Sequence, residues 1–342
     1  MLKARMEYGA VYAKVMAMYG KLLKQGEWQR LCECKNLTEL CAQLRNYRGW
    51  SDTMASLPPS LSAKVLQTAV SKRVYIEHEK LYKFLRIEDK KFLRFSLCRA
   101  EYDLILDTLR EKSPFELFPK SLELTDFIRA NSTIDLDALE QSKSLSAVQN
   151  AVRGSIFEKP LAELKINPET GKPNYWEVGV ALENAYYREM FSYISHKYKG
   201  LGRKKLEESV GLEADLLNIV SVIRLLKSFP SSLERADELL IPITARLKPE
   251  LLSALKSAKG ENEAFELLRR SPFGKYFEGI APSNVENFYY NSMEKFCRKL
   301  VKAAEPDIGV PLAYLTLKEL ECRKLNRIIE AVSLGVDPKS VI

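Results

Sequence analysis

Three acids stand at matching places in the chain. Glu101, Glu213 and Glu321 each open a helical stretch, EYDLILDTLR, EADLLNIVSVIR and ECRKLNRIIEAV, with separations of 112 and 108 residues. Carboxylates act as general acids and bases when two of them meet, and one acid per repeated unit does not supply a pair. Their expected role is structural, in helix pairing. Three arginines repeat in the same order: Arg45 in LRNYRGW, Arg153 in VRGSIF and Arg269 in LRRSPF, each after an apolar residue and shortly ahead of an aromatic. Each is either a cation at the end of a helix, where the dipole favours it, or one of a set around a pseudo-threefold axis that meets an acidic partner.

The remaining reactive residues form no recognisable site. His78 and His196 lie in neither an HExxH nor a nucleophile-base arrangement, and both are expected to be solvated. Cys32, Cys34, Cys41, Cys98, Cys297 and Cys322 fit no zinc spacing and are expected to be free thiols packed as small apolar groups. TGKP at 170–173 has Pro173 where a phosphate loop needs Ser or Thr, and KGLGRKK at 199–205 reads as a helix end followed by a basic turn. No metal site, cofactor site or catalytic residue is expected.

The elements that carry these residues are helices. ENAYYREM at 183–190 and ENFYYNSM at 286–293 share Glu183 and Glu286, the following Asn, a Tyr pair led by Tyr186 and Tyr289, and the closing Met. Leu182, Ala185, Tyr186, Met190 and Tyr193 keep helical spacing, as do Val285, Phe288, Tyr289, Met293, Phe296 and Leu300. Asn218 and Asn326 repeat in the same register after Glu213 and Glu321. A Tyr body can fill a helix interface while its hydroxyl reaches a polar group, and a buried Glu or Asn needs such partners. No run of alternating β-branched residues argues for a sheet. Three markers repeating at about 110 residues exceed the two-helix solenoid period, so the expected organisation is three similar helical units: 1–115, 116–229 and 230–342. Their boundaries fall at KSPFELFPKS (112–121) and KSFPSSLERADELLIP (227–242), and NPETGKPN (167–174) reads as a turn ahead of the helix bearing Glu183.

The net charge of +8 and an isoelectric point near 9.0 attract polyanions, anionic lipid surfaces or an acidic protein. No apolar run is long enough to span a membrane, and the N-terminus lacks a signal peptide's apolar centre, so a cytoplasmic location is expected. A basic helical nucleic-acid-binding protein is a competing reading, motivated by this charge and by 16 tyrosines available for stacking. An enzyme of unknown type is a third.

With the threefold repeat, YGAVYAKVMAM near the start, Glu213, Asp215, Asn218, Ile219 and Arg224 in the centre and LNRIIEAVSLGVDPKSVI at the end, the chain resembles the C subunit of the bacterial and archaeal V/A-type rotary ATPases. That family is related to the d subunit of the eukaryotic vacuolar enzyme. The family pattern carries an aromatic where Ser221 stands. The resemblance implies an all-α funnel of three pseudo-threefold domains, peripheral on the cytoplasmic face of the membrane. It also implies a non-catalytic adaptor between a shaft made of the D and F subunits and the proteolipid rotor ring, serving proton or sodium transport, with no nucleic acid partner. Arg45, Arg153 and Arg269 are then candidate contacts to the shaft.

Overall fold

The computed structural model describes residues 2–58, 61–109, 125–164, 166, 173–228, 230–277, 285–303 and 306–340; for residues 2–5, 232 and 286 only the backbone is described. Among them no strand occurs, only an isolated bridge between Ile166 and Pro173. The fold is all-α. In chain order the helices are α1 (Leu2–Tyr19), α2 (Gln25–Cys32), α3 (Leu37–Arg45), α4 (Ser51–Ala55), α5 (Ala63–Tyr82), α6 (Ile87–Leu93), α7 (Phe95–Leu109), α8 (Asp126–Asn131) and α9 (Leu136–Gln141). They continue with α10 (Leu145–Ala151), α11 (Glu158–Ala162), α12 (Tyr175–Lys197), α13 (Gly200–Ser228), α14 (Ala236–Leu239), α15 (Pro249–Lys256), α16 (Glu261–Arg269), α17 (Val285–Val301) and α18 (Gly309–Leu334).

One pattern recurs three times: short helices, then two long ones. The short sets are α2, α3 and α4; α9, α10 and α11; and α15, α16 and the 3-10 turn Gly274–Tyr276. The long pairs are α5 and α7, α12 and α13, and α17 and α18. Local chemistry fixes the starts. Asn36 caps α3 by accepting the Glu39 amide, while Glu39 accepts the Lys35 amide. Glu263 accepts the Lys259 amide in the same way at the start of α16. Ser144 caps α10 and Asn174 caps α12. Asn174 closes the expected turn at 167–174; residues 167–172, and the boundary expected at 112–121, lie outside the described residues. The stretch at 227–242 holds a 3-10 helix, Pro230–Arg235, and α14.

The chain forms two compact units. One comprises Met1–Ser96, Lys112–Asn131 and Cys297–Ile342, the other Leu97–Glu111 and Ser132–Phe296. In the first, Leu31, Leu40, Leu44, Trp50 and Met54 of the short helices share a core with Leu66 and Val70 of α5 and Cys322, Leu325, Ile328 and Ile329 of α18. In the second, α13 packs against α12, α15 and α16. The expected division into three units of about 110 residues is a statement about repeats along the chain; the compact units cut across it, because α18 packs with the first short helices.

The segment at 199–205 differs from expectation. Gly200, at φ +60, makes the sharp turn after α12, and α13 begins there, so Arg203, Lys204 and Lys205 are helical and not a basic turn. An Arg203–Glu207 pair at 2.6 Å, one turn apart, supports that start. His78 also differs. It is 1% exposed, and its Nε2–H donates to the Leu93 carbonyl at 3.0 Å. The helix α5 is polar in sequence yet buried on that side by α6 and α8, where Phe127 lies against the imidazole. His196 is exposed at the end of α12, and all six cysteines are free and buried.

Candidate functional site

A buried acid on the second long helix of each repeat holds the backbone that leads into a set of short helices. Glu101, on α7, accepts the Thr133 amide at 2.6 Å together with the hydroxyls of Ser132 and Thr133. Asp215, on α13, accepts the amides of Ala245, Arg246 and Leu247 at 3.1, 2.6 and 3.1 Å. Glu321, on α18, accepts the Leu23 amide at 2.7 Å and the Trp50 indole at 3.0 Å. Each acid thus clasps the lead-in of the next set in the chain, and the third clasps that of the first. All three are nearly excluded from solvent. A carboxylate is well suited to this work, since its lone pairs satisfy several backbone donors that would otherwise be orphaned.

The central member of this set is Asp215, not Glu213. Gly211, one turn earlier, explains how the loop comes so close: a Cβ there would lie 2.6 Å from that of Ala245. Burial holds the Asp215 carboxyl above its ordinary value, and the three backbone donors offset part of that. Nor do these acids pair along their own helices as expected, apart from Glu321, which meets Lys318 at 2.5 Å. The cation of Lys318 also lies 4.0 Å over the Trp50 ring.

Glu213 does something else. It pairs with Arg99 of α7 at 2.7 Å and accepts the Tyr289 hydroxyl at 3.0 Å. Burial alone would lower the Arg99 pKa, but Glu213 and the surrounding Tyr187, Tyr289 and Tyr186 raise it well above its ordinary value. Glu183 borders this cluster, its carboxyl pushed up by burial despite the nearby Arg99. The two repeated tyrosine pairs therefore meet one ion pair, Tyr186 and Tyr187 from α12 and Tyr289 from α17. Each pair is edge-on within itself, with ring centroids 5.1 and 5.5 Å apart. Glu286 stands in α17, its side chain outside the described part. Arg99 belongs to none of the repeated motifs, so no spacing in the sequence points to it.

The repeated asparagines diverge. Asn218 is buried and exchanges two hydrogen bonds with the backbone of Ile241, at 2.8 and 2.9 Å. Asn326 is half-buried and donates to Ser71 at 3.0 Å.

The arginines occupy one local position. In each set the residue just before, Leu44, Val152 or Leu268, offers its carbonyl to the amide three positions on, Tyr47, Ser155 or Ser271, at 3.1 Å in every case. A buried aromatic follows each turn: Trp50, Phe157 or Phe273. Arg45, Arg153 and Arg269 are all exposed. Arg45 and Arg269 end α3 and α16, as the helix-end reading expects, while Arg153 stands two residues beyond α10. Arg45 donates to the Met54 carbonyl, Arg153 to Asn150, and Arg269 to Glu266.

Within the second unit a cleft of about 640 Å³ runs along α12, lined by Val180, Ala181, Asn184, Arg188, Arg235 and Leu239 among others. Its carboxylates Glu177 and Glu238 are engaged by Arg235 at 3.3 and 2.8 Å. Among the described residues no group of His, Cys, Asp and Glu is placed to hold a metal ion, and no helix is long and apolar enough to cross a membrane.

These features define a helical repeat scaffold whose buried acids fasten its own backbone and whose equivalent turns each present an exposed cation. The chain belongs to the ATP synthase (C/AC39) subunit family, which it matches over residues 11–341, and is thereby a rotary ATPase subunit. It is 22% identical to the C subunit of the A-type ATP synthase of Thermococcus onnurineus over 342 residues, covering 98% of this chain and 88% of the relative. The corresponding C subunits of Thermococcus kodakarensis and of Desulfurococcus sp. are 22% and 23% identical over 343 residues, with 98% and 89% covered.

Proposed function

We propose that this chain is the central-stalk adaptor of an A-type or V-type rotary ATPase, coupling a shaft of the D and F subunits to the proteolipid ring during ATP-linked transport of protons or sodium. The observation that carries the reading is the family match along nearly the whole chain, shared with relatives named as C subunits of A-type ATP synthases. The three repeats and the funnel that the resemblance implies belong to this proposal. So does peripheral placement on the cytoplasmic face, without an active site of its own.

A torque coupler must not shear between its parts. Buried carboxylates that each take two or more backbone or side-chain donors resist such sliding, because displacement strands polar groups in the interior. The exposed arginines on equivalent turns are suited to rim contacts with an acidic shaft, where charge governs encounter and register. Co-purification from native membranes with a tag on the chain, combined with its deletion, tests the proposal. Recovery of shaft and ring proteins, with ATP hydrolysis uncoupled from ion transport after deletion, is the expected result. Recovery of the chain without them would overturn it.

A further inference from the structure

Two of the three repeats connect their long helices through a basic tip. Lys83, paired with Glu79, and Lys91 of α6 lie on the connection from α5 to α7, and Lys197, Lys199 and Lys204 on that between α12 and α13, whereas after α17 Lys302 is offset in sequence by Glu305 and Asp307. A cation in the last turn of a helix is expected from the dipole, and Lys197 and Lys299 need no other explanation. That account fails for the second tip as a whole. Lys199 precedes α13, whose first turn holds no acid; Arg203 is answered by Glu207, but Lys199 and Lys204 are not, and a cation at a helix N-terminus opposes the dipole. Between Ser195 and Leu206 the sequence contains no acidic residue at all. Lys197, Lys199 and Lys204 are exposed and make no ion pair among the described residues.

The tips also expose apolar side chains. Leu201 is 64% exposed at the apex between α12 and α13, and Phe84 and Ile87 are 45% and 74% exposed after α5. None of the three lines the cleft along α12. A polynucleotide would call for rings free to stack, whereas Tyr198, the aromatic of the second tip, is half-buried edge-on to Tyr193 and the side chain that protrudes is Leu201. A lipid headgroup layer answers both features: phosphates meet the ammonium groups, and a protruding Leu or Phe enters the shallow acyl boundary.

We propose that the basic tips, and the Lys197–Leu201–Lys204 tip above all, dock on anionic phospholipid headgroups. The test is flotation of the purified full chain with vesicles of phosphatidylglycerol and phosphatidylcholine, against phosphatidylcholine alone, at low and high salt. Binding is expected to the anionic vesicles only, to fade at high salt, and to weaken by about tenfold or more in K197E/K199E/K204E. The K197R/K199R/K204R variant should keep binding, and Leu201→Ser should weaken it to a smaller degree. Equal binding to both vesicles, no binding, or an unchanged triple-glutamate variant that melts like the parent would overturn the proposal. So would displacement by inorganic phosphate beyond that by chloride at equal ionic strength, which would assign the tip to a free anion. Since no other protein of the complex takes part, failure here leaves the adaptor reading standing.

Discussion

The indole of Trp50 and the carboxylate of Glu321 meet at 3.0 Å across 271 residues of chain. The same carboxylate holds the Leu23 amide and pairs with Lys318, which is 2% exposed. Removing it strands a buried cation and two buried donors together. Glu321→Ala is expected to destabilise the chain by about 3–5 kcal/mol, read from urea unfolding. Adding Lys318→Met should restore a good part of the loss, and a loss under about 1 kcal/mol for the single variant would contradict the clasp.

Asp215 and Glu213 sit two residues apart on α13 and are expected to separate cleanly. Asp215→Asn places an amide NH₂ or a single acceptor against three backbone donors, so amide exchange at Arg246 and Leu247 should accelerate. Glu213→Gln should leave those amides protected and instead loosen Arg99 and Tyr289. Equal effects of the two variants on residues 245–247 would show that the clasp is misassigned.

His78 gives the fold an acid-sensitive element. Burial lowers its pKa from 6.5 to about 4, and its Nδ1 has no hydrogen-bond partner among the described residues, so protonation would strand a second donor. An unfolded chain takes up that proton near 6.5 and the folded one only near 4. Stability should therefore fall as the pH drops through that window and level off below it, by about 3 kcal/mol in total as an order of magnitude. In His78→Phe this limb of the pH profile should flatten, measured by chemical denaturation at several pH values.

Arg45, Arg153 and Arg269 are exposed, so reversing them tests binding without testing folding. R45E/R153E/R269E is expected to weaken association with the shaft proteins at least about tenfold, with a melting temperature within a few degrees of the parent. Undiminished shaft binding would remove these residues from the interface.

The helices and the threefold order are legible in the sequence because both leave marks at fixed spacing. Tyr186 and Tyr289 recur where long helices need an amphipathic filler, and the Arg45, Arg153 and Arg269 turns recur with identical backbone bonding. The clasp is only partly legible. Asp215 is hidden by Glu213, whose better sequence register with Glu321 reflects a different job, and only the close approach allowed by Gly211 discloses which acid meets the loop. The polar sequence of α5 points to a solvated His78 and does not reveal that Phe127 lies against it. Arg203, Lys204 and Lys205 read as a turn because Gly200 and Gly202 resemble a helix terminus from either side.

The clasp between Leu23 and Glu321 spans 298 residues. On a ribosome, Leu31, Leu40 and Trp50 must therefore wait for α18, their packing partner, for on the order of fifteen seconds to a minute at usual elongation rates. Until then the apolar side of the first short helices is open to wrong partners, including the later sets of short helices in the same chain. Newly made protein should accordingly depend on holding chaperones far more than the finished molecule's buried core suggests.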